Sequence, residues 1–301
     1  MATRSRLAQA ATAALGLLVV SPVMAGAPAA DVFYQRAVMT AADSRCRLFA
    51  PDVATALAAS KAQARGAALR SGDDPVALAA AEAQASAAVA AAGGGSADIA
   101  KAAQAVRAGF ADYARLDHMD FPGDFAPWTA ARPLSQSDVL WRASQRDRFG
   151  WDVMLFGLAG KGQDRSLTAV ASFADGAAPY AARLVLRDSS VTSGPFLDAR
   201  EADIAGHIPI DGRLPPREQS RVFAAAEMAP AQKSLLADDM NQGWAFTFPA
   251  AAMDALAGLD PRESVAIEFL FAGDDGETVR TAYVEVGDFA AARAFQAIPQ
   301  E

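Results

Sequence analysis

The spacing of apolar and polar residues divides the chain into a helical part followed by an extended part. From Asp31 to Leu116, apolar residues recur every three or four positions, as they do in amphipathic helices. From Ser137 onward the period becomes two, which a strand with one buried face requires. We predict an α+β protein: helical hairpins or a small bundle over 31–116, an ordered connector over 117–136, and an antiparallel sandwich or open barrel over 137–301.

The clearest strand signal is a hairpin near the C-terminus, in PRESVAIEFLFAGDDGETVRTAYVEVGDF. Two alternating runs flank an Asp-Gly pair, which is a strong short-range signal for a β-turn. An isolated hairpin is only marginally stable in water, so upstream strands must complete the sheet. The residues predicted to face the core are Val265, Ile267, Phe269, Phe271, Ala282, Val284 and Val286.

Turn residues delimit four helices in the first third of the chain. Pro51 suits the first turn of a second helix, and the run Ser71–Pro75 ends it and starts a third with Asp74 as the cap. Three glycines at 93–95 end that alanine-rich helix, and Ser96 starts a fourth. Short connections favour antiparallel packing of these helices.

The pattern of apolar and polar residues in the second half predicts short strands and two small helices. Residues 188–218 are rich in Ser, Gly, Pro and Asp, and they predict a surface excursion with at most a short strand near Ile208. The predicted strands are Val139–Gln145, Gly150–Ala159, Leu167–Phe173, Ala181–Arg187 and Gly243–Phe248, with Ser220–Met228 as strand or short helix and with helices over Pro249–Leu256 and Phe289–Ala297.

The connector combines helix breakers with aromatic side chains. Prolines and a glycine interrupt any helix in DHMDFPGDFAPWTAARP. Phe121, Phe125 and Trp128 are too apolar for a free linker, so we expect them to pack across the boundary between the two parts, where they form a candidate interaction site. A cleft for a small molecule at this seam is an alternative.

The N-terminus has the features of a secretory signal. Two arginines precede the apolar stretch Leu7–Val20, and Val23-Met24-Ala25 offers small residues for cleavage after Ala25. The apolar stretch is shorter than a membrane span, and no later run is long enough to be one. We expect residues 1–25 to be a signal peptide and the chain to be periplasmic or secreted, from a Gram-negative bacterium.

Charge and cysteine content restrict the partners. The net charge is −8, and no cluster of cations offers phosphate contacts, which argues against nucleic acid as a partner. Cys46 is the only cysteine, so the fold has no internal disulfide. The helical pattern around it predicts a buried thiol, with an intermolecular bridge or a catalytic thiol as alternatives.

The best candidate for chemistry is an acidic cluster in the connector: Asp117, His118, Asp120 and Asp124. Carboxylates with one imidazole can bind a divalent cation, although the spacing matches no known loop. Alternatively, these acids only solubilise the aromatic connector. His207 has Asp203 and Asp211 nearby and is a weaker general-base candidate. Since no hydrolase or phosphate-binding motif occurs, we predict no catalytic residues and no cofactor.

A second charged group lies early in the extended part. Arg142, Arg146 and Arg148 surround Asp147 and predict the solvated edge of a strand or a dock for an acidic partner.

Trp244–Phe295 (WAFTFPAAAMDALAGLDPRESVAIEFLFAGDDGETVRTAYVEVGDFAAARAF) resembles the C-terminal part of the invasion-associated locus B family of exported alphaproteobacterial proteins. The resemblance implies an immunoglobulin-like sandwich and an exported, non-catalytic role. The family usually has paired cysteines in its sandwich, and this chain has none there.

Three functional hypotheses follow. The first is an exported non-enzymatic protein that binds another envelope protein through the alanine-rich helices or the 188–218 excursion. The second is a periplasmic hydrolase or divalent-metal-binding protein centred on the Asp117–Asp124 cluster. The third is a small-molecule binder at the seam.

Overall fold

The computed structural model describes residues 28–92, 96–192, 194–195, 208–274 and 276–298. The predicted signal peptide, the glycine run at 93–95 and His207 lie outside these ranges. In the described part, no helix combines the length and apolar content that crossing a bilayer requires.

Where the N-terminal part is described, it consists of four helices, with the breaks that the sequence predicts. Pro51 and Pro75 occupy first-turn positions, Asp74 accepts a hydrogen bond from the Val76 N–H at 2.9 Å, and Ser96 accepts one from the Ile99 N–H. The helices are α1 (Ala29–Cys46), α2 (Pro51–Arg70), α3 (Pro75–Ala91) and α4 (Ala97–Tyr113).

These helices pack through small apolar clusters. One cluster contains Phe33, Leu69 and Leu78, and another contains Met39 and Val106. In addition, Ala56 of α2 and Tyr113 of α4 belong to the main core that the strands build. The helical part is therefore seated on the β part rather than connected only through the chain.

The prediction of a buried Cys46 is wrong, because its thiol is exposed. Ala42, one turn earlier, is fully buried. Cys46 is the last residue of α1, and Arg47 adopts a left-handed conformation (φ 50°) that ends the helix. The residues of this final turn, from Ser44 to Arg47, are exposed.

The described residues contain eleven strands in two antiparallel sheets, so the α+β class is confirmed. The larger sheet has the order β1-β2-β3-β4-β5-β9-β8, and the smaller has β11-β10-β6-β7. The strands are β1 (His118–Phe121), β2 (Trp128–Ala131), β3 (Leu140–Phe149), β4 (Asp152–Gly160), β5 (Ser166–Ser172), β6 (Ala181–Arg187), β7 (Ser220–Ala224), β8 (Glu227–Pro230), β9 (Trp244–Phe248), β10 (Ser264–Gly273) and β11 (Gly276–Glu285); the later helices are α5 (Ala250–Ala257) and α6 (Phe289–Gln296).

The two sheets share one hydrophobic core. Phe269 of β10 lies at its centre: its ring is 5.7 Å from that of Phe149, 5.4 Å from that of Phe246 and 5.3 Å from that of Phe173, measured between centroids. The predicted hairpin is confirmed, because β10 and β11 pair up to Gly273 and Gly276 and all the residues predicted to face the core are buried. The upstream strand β6 completes this sheet.

Two segments differ from the sequence prediction. The connector is not irregular throughout: β1 and β2 form a hairpin that extends the larger sheet, and Pro122 and Pro127 lie between these strands, where no ladder hydrogen bond is needed. Where the sequence allowed at most a short strand near Ile208, the chain forms a 3-10 turn (Ile210–Arg213) that lies against β10 and β11. Residues 220–230 give two strands, one in each sheet.

The segment before β9 covers the outer face of the larger sheet. Leu235 and Met240 pack there, and the Trp141 indole N–H donates to the Leu235 carbonyl at 3.0 Å. Asp239 in the same segment binds both Arg146 and Arg148. The two exposed arginines of the predicted basic group are thus paired within the chain.

Candidate functional site

The connector is held by a buried carboxylate at the end of β11. Glu285 is completely buried, and its carboxylate accepts the backbone N–H groups of Asp124 at 2.7 Å, Phe125 at 2.8 Å and Ala126 at 3.4 Å. Burial raises the pKa of Glu285, and the donated hydrogen bonds oppose that shift. Three consecutive N–H groups around one carboxylate form an anion-binding concavity that is already occupied.

Gly123 makes this approach possible. A Cβ on Gly123 would lie 2.3 Å from the Ala126 carbonyl oxygen and 2.6 Å from Glu285 Oε2. Both distances are far below van der Waals contact, and one of the atoms belongs to the backbone. Only glycine allows the connector to close on Glu285 in this way.

Two further side chains fasten the same segment. The Trp128 indole N–H donates to the Val286 carbonyl at 2.9 Å. Gln145 of β3 accepts the Glu285 backbone N–H at 2.9 Å and donates to the Ala126 carbonyl at 3.0 Å. These bonds satisfy polar groups that would otherwise be buried without partners.

Arg213, in the 3-10 turn, also binds the connector. Its guanidinium is fully buried, donates to Asp124 Oδ2 at 2.8 Å and lies 4.5 Å from the centroid of the Phe125 ring. It also donates to the Arg262 carbonyl at 3.3 Å. The carboxylate of Asp124, which is partly exposed, is therefore committed to an ion pair with a buried arginine of the same chain.

An ion pair also joins the helical part to the β part. Arg70, at the end of α2, donates two hydrogen bonds to Asp288 just before α6, at 2.8 and 3.0 Å. Asp288 is buried, and a Cβ on Gly66 of α2 would lie 2.1 Å from its Oδ1 atom. A bidentate ion pair fixes the relative orientation of the two side chains as well as their distance, so this contact sets how α2 lies on the β part.

The structure does not bring the predicted metal-binding residues together. Asp117 and His118 are exposed, Asp120 accepts a hydrogen bond from the Thr129 hydroxyl at 2.7 Å, and Asp124 pairs with Arg213. In the described ranges, no group of three or more His, Cys, Asp or Glu residues is placed to hold a metal ion.

The predicted interaction residues separate into two kinds. Phe121 and Trp128 are completely buried, and their rings lie against Phe295 and Phe289 of α6. Phe125 is exposed but covers Arg213. The seam is thus filled by the chain's own side chains. A shallow cavity of about 370 Å³ lies elsewhere, lined by residues that include Phe173 and Trp244 and by no acidic, basic or histidine side chain.

The most unusual exposed surface is on α3. The helix buries only Leu78, Ala85 and Val89, and its single charged residue, Glu82, pairs with Lys61 of α2 at 2.7 Å. The remaining surface, which we call the α3 face, consists of exposed Val76, Ala77, Ala79, Ala80, Ala83, Gln84, Ser86, Ala87, Ala88, Ala90 and Ala91. Solvent-facing positions of a surface helix normally have charged side chains, and here there are none.

Several residues of the seam gave no signal in the sequence. Glu285 and Arg70 look like ordinary surface charges at the ends of their elements, and Arg213 lies in the excursion. The visible traces are two glycines: Gly66 interrupts an alanine-rich helix, and Gly123 lies between charged and aromatic residues. A glycine inside a helix often indicates a close approach by another group.

Comparison of the chain with protein-family models, with curated proteins and with solved structures gives no significant match, so its function has to be inferred from the geometry described above.

Proposed function

We propose that this chain is an exported, non-enzymatic binding protein that docks an apolar helix of another envelope protein on the α3 face. The observation that supports the proposal is the absence of charge from eleven exposed positions of one helix. Small side chains let a second helix approach closely, because no long side chain has to be moved aside or desolvated. The export itself is the expectation from the N-terminal sequence.

The size of the α3 face predicts a limited affinity. A helix of 17 residues is about 25 Å long and offers roughly 250 Å² on one side. A stable interface uses about 800 Å² from each partner. A second copy of this chain meeting only through α3 would therefore dissociate easily. A different envelope protein that also contacts the neighbouring helices fits the surface better.

The expected architecture belongs to the same proposal. An immunoglobulin-like sandwich, as in the invasion-associated locus B family, is supported by two antiparallel sheets around a common core, although the seven-stranded sheet is wider than in that fold. A small helical bundle is supported by the contacts of α1 with α2 and α3. In this arrangement the β part acts as the base that presents the helices.

Site-specific photo-crosslinking in envelope extract tests this proposal. A crosslinking amino acid replaces Ala83 or Ala87 on α3, and matched controls replace Ala108 or Ala111, which are exposed on α4. We expect a defined adduct from the α3 positions, and its mass identifies the partner segment as an apolar helix. Addition of a charge by Ala80→Glu should abolish the adduct formed at position 87 without changing the far-UV circular dichroism.

Two outcomes contradict the proposal. Equal adducts from α3 and α4 would indicate contact without a preferred face. An adduct whose partner segment is this same chain would replace the envelope partner by a second copy.

A further inference from the structure

Two arginines at one end of the sheets have no acidic partner in the described part of the chain. Arg142 of β3 is 2 % exposed, and Arg165, just before β5, is half-buried. Across the residues that the structure describes, no carboxylate lies within ion-pair distance of either guanidinium, whereas Arg146 and Arg148 on the same strand as Arg142 both pair with Asp239. These two cations therefore differ from Arg146 and Arg148, which are paired.

The strand register brings the two arginines to one place. The pairing of β3 with β4 passes from Trp141 opposite Ala159 to Ala143 opposite Leu158, so Arg142 forms a β-bulge with no residue opposite. Ala159 also pairs with Ser166, the residue after Arg165. Arg142 and Arg165 thus flank the end of β4 from its two neighbouring strands. Bulges commonly redirect a side chain towards a site.

The polar atoms of this group are incompletely satisfied. Arg142 Nη1 donates to the Pro133 carbonyl, and Arg165 Nη2 donates to the Gln296 carbonyl at 2.9 Å. Within the described ranges, the Nε atoms of both arginines are buried and have no hydrogen-bond partner. Gln296, in the last turn of α6, is 3 % exposed, and neither its amide nitrogen nor its amide oxygen has a partner there.

No described carboxylate compensates the charges of these two arginines. Burial, and then the charge of Arg165, lowers the pKa of Arg142; burial, and then the charge of Arg293, lowers the pKa of Arg165. A guanidinium nevertheless stays protonated at neutral pH. Arg293 is already paired with Asp254 at 2.9 Å. Enclosed cations are costly unless an anion accompanies them.

We propose that Arg142, Arg165 and Gln296 form a binding site for a small oxyanion, and that hydrogen phosphate is the anion that fits best. Phosphate oxygens accept hydrogen bonds from two guanidinium groups and from the amide N–H. The remaining P–O–H group donates to the amide oxygen, which has no other partner in the described ranges. Sulfate has no proton at neutral pH and leaves the amide oxygen unsatisfied.

Calorimetric titration of the whole chain with inorganic phosphate and with sulfate, at pH 7 and constant ionic strength, tests the site. We expect phosphate to bind and sulfate to bind more weakly. Arg165→Gln and Gln296→Leu should each weaken phosphate binding about tenfold or more, since each removes a hydrogen bond to a charged ligand. Arg148→Gln is the matched control on β3 and should bind phosphate like the wild type, because its guanidinium already pairs with Asp239.

Arg142→Gln removes a buried bond to the Pro133 carbonyl and can unfold the chain, so Arg165→Lys provides a second, milder test. It retains the charge but loses the planar fork, and it should weaken phosphate binding. A chain that ends at Ile298 shows whether the last three residues compete for the site. Absence of phosphate binding to both chains overturns the proposal, as does wild-type affinity in Arg165→Gln and Gln296→Leu. Equal affinity for sulfate overturns the assignment to hydrogen phosphate.

Discussion

At the scale of single residues, Glu285 shows how one buried carboxylate can organise a chain segment. Among the residues that the structure describes, no cation lies within ion-pair distance of it; instead it accepts three consecutive backbone N–H groups of the connector. A buried N–H without an acceptor costs about 1–3 kcal/mol. Removing one side chain therefore leaves three donors unsatisfied together.

Glu285→Ala should reduce the free energy of unfolding by about 2–4 kcal/mol, because it orphans these donors and leaves a cavity. Chemical denaturation monitored by tryptophan fluorescence measures the change. Glu227→Gln on the exposed strand β8 is the control, and its effect should stay below about 0.5 kcal/mol. A loss in Glu285→Ala as small as in this control would show that water replaces the carboxylate without penalty.

The raised pKa of Glu285 predicts a pH dependence. Burial makes the folded carboxyl keep its proton to a higher pH than the unfolded one, whose ordinary pKa is 4.5. As pH rises from that value to the folded pKa, the unfolded state binds fewer protons, so the free energy of unfolding falls. Glu285→Gln removes this contribution.

The free energy of unfolding of the wild type, measured in urea from pH 4 to pH 8, should therefore fall more steeply with rising pH than that of Glu285→Gln. Glu263 is also buried with a raised pKa and contributes equally to both proteins, so the difference between the two curves isolates Glu285. Parallel curves would exclude a raised pKa for this group.

At the scale of elements, the contact between α2 and the start of α6 depends on a glycine within a helix. Alanine normally stabilises a helix interior by about 1 kcal/mol relative to glycine. At position 66, however, a methyl group would lie 2.1 Å from Asp288 Oδ1 and must displace the carboxylate that binds Arg70. At position 66, helix propensity favours alanine, whereas packing against Asp288 requires glycine.

Gly66→Ala should consequently destabilise the fold, by about 1–3 kcal/mol, despite its better helix propensity. Ala58→Gly, at an exposed position of the same helix, should cost about 1 kcal/mol by propensity alone. Thermal and urea unfolding of both variants give the two values. A stabilised Gly66→Ala protein would mean that α2 does not lie against Asp288 in solution.

Local sequence signals predicted most elements, and long-range contacts account for most of what was missed. Pro51, Asp74 and Ser96 mark helix starts through their own chemistry, and the alternation around Phe269 marks a strand whose turn is local. The β1–β2 hairpin has strands of only four residues, too short for a period to show.

The aromatic residues predicted that the connector packs between the two parts. They did not predict the hydrogen bonds and the ion pair that hold the connector in place. The partner of Asp124 and Phe125 is Glu285, about 160 positions away, and no local pattern encodes that pairing. Likewise, Cys46 follows the helical pattern of its neighbours, and only the end of α1 decides its exposure. Patterns report periodicity, whereas these contacts depend on the tertiary arrangement.

At the scale of the whole molecule, the helical and β parts are joined by the Arg70–Asp288 pair and by shared core residues such as Tyr113. Tyr113 packs edge-on against Phe295 of α6 with 5.4 Å between ring centroids. A buried pair that loses one partner costs about 3–5 kcal/mol, while an exposed pair contributes little. The docking of the helical part should therefore be weakened strongly by the loss of Arg70, in spite of the shared core contacts.

Arg70→Gln should increase amide hydrogen exchange in α2 and leave the central amides of β10 protected, because the unpaired Asp288 weakens the docking of the helices before it affects the core. Native-state exchange followed by mass spectrometry measures both regions. Lys61→Gln, which removes the partly exposed pair with Glu82, is the control and should change neither. Equal loss of protection in α2 and β10 would show that the two parts unfold as one unit.

The hydrogen bonds from the connector to Glu285 also determine when this protein can finish folding. The connector N–H groups are made early in synthesis, but their acceptor emerges 161 residues after Asp124. Until Glu285 has been synthesised, the N–H groups of the connector lack the carboxylate that binds them. The surface on which the helices pack is therefore incomplete. The native arrangement of the connector therefore cannot form until synthesis has passed Glu285, and the contacts that depend on it form only after that point.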